Sequence, residues 1–114
     1  PGRSPQVSGL CFTYIIAAAA GSRVTSAVRQ AADGTCTGAP VTFGAGDSYR
    51  IATNDFMSFG GDGYPNLVAQ LDTPSIMTMD ERLITYLEAN PAITPAIQGR
   101  INCTGATCPA ITSP

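Results

Sequence analysis

Within the stretch Phe56-Met57-Ser58-Phe59-Gly60-Gly61-Asp62-Gly63-Tyr64, a single carboxylate stands among three glycines, with aromatic side chains before and after it. So many glycines in so few positions let the backbone reach φ values closed to other residues. A turn of this kind can lay the Phe56 ring against a flat ligand while Asp62 accepts hydrogen bonds from hydroxyl groups. The same residues also make a tight turn whose aspartate serves only its own backbone. Residue types alone leave both readings open.

Little else in the chain is equipped for chemistry. It contains no His, which removes the usual general base, the commonest metal ligand and any Ser-His-Asp or Cys-His arrangement. The acids do not recur with metal-ligand spacing, and the adjacent Asp80 and Glu81 sit where a helix N-terminus favours negative charge. The piece Gly44-Ala45-Gly46-Asp47-Ser48 lacks the Gly-Lys-Ser/Thr ending of a phosphate loop. With a net charge of −2 and six dispersed arginines, the chain has no basic stripe for nucleic acid.

These residues need elements to position them. Ser8 to Ile15 and Arg23 to Gln30 are rich in β-formers and predict two strands joined through Ala17 to Ser22. Residues 32–48 are turn-rich. Tyr49 to Asn54 predicts a third strand that delivers Phe56 and the glycine turn from its C-terminal end, and Tyr64 to Leu71 predicts a short helix with Pro65 near its start. Thr78 to Asn90 predicts the clearest helix: Thr78 and Glu81 form a capping box, while Met79, Leu83, Tyr86 and Leu87 trace an apolar stripe expected to face the core. Gly99 to Cys103 predicts a closing strand, with a loose tail after Cys108. The fold class expected is α+β, a mixed β-sheet with a few helices, and 114 residues with 44% apolar and 12% charged side chains suit one globular domain.

Four cysteines are an even number. Cys103 and Cys108 lie close in a small-residue segment and are expected to form a disulfide, which points to an oxidising compartment. Cys11 falls in a strand and Cys36 in a turn, and their pairing is left open. The apolar run Leu10 to Ala20 is far short of the ~20 residues a membrane-spanning helix needs.

Three segments carry a resemblance. "YRIATNDFMSFGGDGY" resembles the signature of the 5′-nucleotidase C-terminal domain, in which a strand runs into a Phe-x-x-x-Gly-Gly-Asp-Gly-aromatic loop. "PGRSPQVSGLCFTY" is similar to that family's Gly-x-Phe-x-Gln-Val-Ser-Gly strand entry, although Ser4 stands where relatives carry an aromatic. "ITYLEANPAITPAIQGRI" is similar to its last helix and closing Gly-Arg-Ile strand. The three occur in the right order, from Gly2 to Ile101.

The resemblance implies a partial C-terminal domain over residues 1–103 with a tail over 104–114, and the start at Pro1, inside a motif, is read as that of a fragment. It implies an exported 5′-nucleotidase, found outside the cell, in the periplasm or at the cell surface. That enzyme hydrolyses nucleoside 5′-phosphates with two divalent metal ions on an N-terminal metallophosphoesterase domain absent from this sequence. The nucleotide or nucleoside is then held by Phe56, the family's second base-stacking ring, by Asp62, its ribose ligand, and by Gly2, the glycine near the base edge. The family's first stacking Phe and its substrate-binding arginines and asparagine lie upstream of Pro1. Phe59 has no counterpart role and is read as packing. Other readings are a UDP-sugar hydrolase or cyclic-nucleotide phosphodiesterase of the same family, or a non-catalytic extracellular binding module.

Overall fold

The computed structural model describes residues 6–72, 77–94 and 96–109. Gly2 and Ser4 therefore lie outside the described residues. The chain divides into two compact units, one of Gly2–Asp47 with Ala96–Pro114 and one of Ser48–Pro95.

The first unit is built on a three-stranded sheet. Strand β1 (Leu10–Ile15) pairs antiparallel with β2 (Val24–Arg29) and parallel with β3 (Ile101–Thr104), giving the order β2-β1-β3. The hairpin register sets Cys11 opposite Val28 and Thr13 opposite Ser26, and a bulge between Thr13 and Tyr14 shifts it so that Tyr14 faces Val24. On the other side of β1, Phe12 faces Ile101 and Tyr14 faces Cys103. These strands fall within two residues of the spans expected from β-forming composition. The mixed sheet and its few accompanying helices make the fold α+β.

The outer edge of β2 is partly covered. Arg29 donates its N–H to Ala39 O at 2.9 Å, Gly38 returns one to Arg29 O at 3.0 Å, and Val41 donates to Ala27 O at 2.9 Å. Pro40, which has no N–H to give, bridges Val28 on this edge, where a missing donor costs least. A Cys11–Cys36 disulfide then ties β1 to the turn-rich segment. Cys11 is the single buried apolar residue among those described, at 5% exposed, so this covalent tie stands where a larger core would. Cys103 and Cys108 form the second disulfide, as their spacing suggests.

The second unit contains helices α1 (Asp55–Ser58) and α2 (Met79–Ala89). The strand expected over Tyr49 to Asn54 does not form. Those residues take no regular structure, and Tyr49 and Ile51 are exposed at 41% and 69%. β-Forming side chains make a stretch strand-capable, but a ladder partner makes it a strand, and none pairs there among the described residues. Instead of a helix from Tyr64 to Leu71, one 3₁₀ turn spans Val68–Gln70. The Asn66 side chain accepts the Val68 N–H at 3.0 Å just before that turn.

Helix α2 begins as its capping box requires. Thr78 N–H donates to the Glu81 carboxylate at 2.7 Å, and Glu81 N–H donates to Thr78 Oγ1 at 3.4 Å. The apolar stripe is not core in this chain: Met79, Leu83, Tyr86 and Leu87 are 70%, 57%, 57% and 47% exposed. Periodicity shows which face of a helix is apolar, and nothing in the described chain covers that face. The bond from the Thr78 N–H, followed by that to its hydroxyl, holds the Glu81 carboxyl below its ordinary pKa. A group depressed on folding contributes stability that is present above its unfolded pKa and lost as pH falls through the folded value. The start of α2 is therefore expected to fray on acidification below the usual glutamate range of about 4.3. Amide exchange of Glu81 and Arg82 checks this, and Glu81→Gln should flatten the pH dependence.

Candidate functional site

The glycine turn is held by its own backbone. Asn54 caps α1, its Oδ1 accepting the Met57 N–H at 2.8 Å, and the Asp55 side chain accepts the Phe56 N–H at 2.8 Å. Phe59 N–H closes onto Asp55 O at 2.9 Å and Gly60 N–H onto Met57 O at 3.1 Å. Ser58 is 4% exposed, its hydroxyl bonded to Asp55 O at 2.8 Å, and its carbonyl takes the Leu67 N–H at 2.8 Å, tying the exit of the turn to the helix. Asn54 and Ser58 were not foreseen as positioning residues. Asn54 carried an N-cap signal, but a helix of one turn is too short to show the periodicity that would have made it legible.

From Phe59 the chain reverses through Gly60 at φ +89°, a left-handed conformation that suits glycine. Gly61–Gly63 then form a 3₁₀ turn broken at Asp62, whose φ and ψ are 52° and 22°. Asp62 is the one non-glycine residue with positive φ among those described. Left-handed backbone costs an L-residue roughly 1 kcal/mol, and aspartate is among the residues that tolerate it. Among the described residues the Asp62 carboxylate receives no hydrogen bond or ion pair, and it is exposed. The turn is thus closed without its help.

Phe56 and Asp62 come together on this one loop. Phe56 is 57% exposed, and its ring lies over the backbone of Gly61, where an added Cβ would sit 2.5–2.6 Å from three ring carbons. One ring face is braced by the turn while much of the side chain meets solvent. Phe59, expected to pack, is 61% exposed. An open aromatic surface beside an unpaired carboxylate can stack on a planar ring and accept from neighbouring hydroxyls.

Among the described residues no competing site is as well furnished. A recess of ≈ 260 Å³ on the sheet, lined by Cys11, Phe12, Val28 and Asn102 among others, holds no charged side chain. Among the described residues no three His, Cys, Asp or Glu side chains group to hold a metal ion, and no helix is long and apolar enough to cross a membrane.

Residues 1–69 match the family described as "5′-nucleotidase, C-terminal domain". The chain belongs to that family. It is similar to a Bacillus subtilis (strain 168) protein named trifunctional nucleotide phosphoesterase protein YfkN, with 28% identity over 102 residues that cover 88% of this chain. The chain spans only 7% of that relative's length. No solved structure matches the chain.

Proposed function

We propose that this chain is the nucleoside-holding portion of an exported 5′-nucleotidase that converts nucleoside 5′-phosphates to nucleoside and phosphate. Phe56 stacks on the base and the Asp62 carboxylate accepts from the ribose hydroxyls. The observation that carries this reading is the braced, open Phe56 ring and the unpaired Asp62 carboxylate on one turn. Family membership supports it, as does the name of the similar protein, a nucleotide phosphoesterase. Hydrolysis belongs elsewhere in the full-length protein, on a metallophosphoesterase domain with two divalent metal ions. Among the described residues no side chains group to fit such a centre, and no step of the reaction is assigned to them. Both disulfides support export, since such bonds persist outside reducing compartments.

Asp62→Asn tests the ribose contact in the full-length protein. Asparagine keeps the shape and tolerates the left-handed backbone equally, but loses the charge. KM for AMP is expected to rise several-fold, by ~1 kcal/mol, as charge-assisted hydrogen bonds become neutral ones. The melting temperature should hold, because the carboxylate bonds nothing in the turn. A large fall in melting temperature with affinity unchanged would make Asp62 structural and end its assignment as a ribose ligand.

A further inference from the structure

Three glycines that look interchangeable in the sequence stand for different reasons. Gly60 and Gly63 have φ of +89° and +71°, where any side chain strains the backbone. Gly61 is not among the residues with positive φ, so its backbone conformation is open to other residues. What it cannot accommodate is a Cβ under the Phe56 ring, which would approach the ring carbons Cε1, Cδ1 and Cζ at 2.5–2.6 Å. Carbon atoms pack at roughly 3.5–4.0 Å, so even a methyl group must displace the ring. The displacement itself is easy, because Phe56 is 57% exposed and its ring can swing into solvent without disturbing a core.

We infer that Gly61 is a positioning residue for nucleobase binding: its bare backbone is the shelf that sets the Phe56 ring at the angle a base stacks on. The inference rests on the nucleoside reading above and adds to it a residue that touches no ligand. A stacking partner gains from a fixed ring, since an unbraced one must be ordered at the moment of binding. The shelf supplies that order in the free protein. Gly61 therefore governs affinity for the planar part of the substrate through Phe56 alone, without touching phosphate or metal chemistry.

The test is a double-mutant cycle in the full-length protein with AMP, together with nuclear Overhauser contacts between the Phe56 ring and the Gly61 α-protons in the free protein. Gly61→Ala is expected to remove those ring contacts and to raise KM about five-fold or more, within the limit set by losing the stacking face, with kcat changed less than about two-fold. In a Phe56→Ala background the same substitution should change KM less than about two-fold, because residues acting through one another are not additive. Three outcomes overturn the inference. Gly61→Ala could raise KM equally in both backgrounds, making the effect one of loop backbone. It could abolish the ring contacts with KM unchanged, making the ring's posture irrelevant to binding. The ring contacts could also be missing from the wild-type protein. Phe56→Ala by itself separates this from the parent reading: if that variant leaves KM untouched, the nucleoside assignment fails as well, whereas a raised KM with either of the first two outcomes sinks only the shelf.

Discussion

Replacing Phe56 with alanine in the full-length protein is expected to lower kcat/KM for nucleoside 5′-phosphates by ~1–3 kcal/mol, about five- to 150-fold, nearly all of it in KM. The size follows from stacking, which each base offers through its π-face, so purine and pyrimidine nucleotides should both lose. The partition follows from where the ring acts: a base is stacked in the ground state and the transition state alike, and uniform binding appears in KM. Stability should be nearly untouched, since Phe56 is 57% exposed and the turn is closed by backbone bonds from Phe59 to Asp55, Gly60 to Met57 and Leu67 to Ser58. Steady-state kinetics with thermal melts check both halves. A fall confined to kcat, or a collapse in melting temperature, would contradict the assignment.

The second large effect is structural. Cys11→Ala with Cys36→Ala should destabilise the sheet unit by about 3 kcal/mol or more, against about 2 kcal/mol for removing Cys103–Cys108, because the entropy of closing a loop grows with its length. The sequence separations are 25 and 5 residues. Cys11 is also the one buried apolar residue described, so its removal subtracts packing as well as a tether. Native-state hydrogen exchange of β1 amides in the full-length protein reads this directly as a drop in opening free energy. An equal or smaller drop than for the Cys103–Cys108 pair would show that the tie does not hold the sheet.

Locally encoded features could be read before the structure. The first two strands, the closing strand, the Thr78–Glu81 box and the Cys103–Cys108 bridge all depend on residues close in sequence or on a strong two-residue or helical period. What was not legible depends on partners. Cys36 pairs with Cys11 because the segment after β2 turns back along the edge of β2, a path that no spacing reveals. Tyr49 to Asn54 has the composition of a strand and lacks a ladder. The α2 stripe is amphipathic as expected, yet its residues are exposed, because periodicity names a face without naming its cover. At the site, chemistry and resemblance single out Phe56 and Asp62, and the turn does bring them together. The role of Gly61 stayed hidden because a glycine kept for a neighbour's ring reads the same as one kept for its own φ.

The most direct measurement is a crystal structure of the full-length protein with a bound nucleoside. The account predicts the base lying against the Phe56 ring, still seated over Gly61, and both ribose hydroxyls within about 2.5–3.0 Å of the Asp62 carboxylate oxygens. A nucleoside bound with its base stacked on other side chains, and Asp62 turned to solvent, would contradict it.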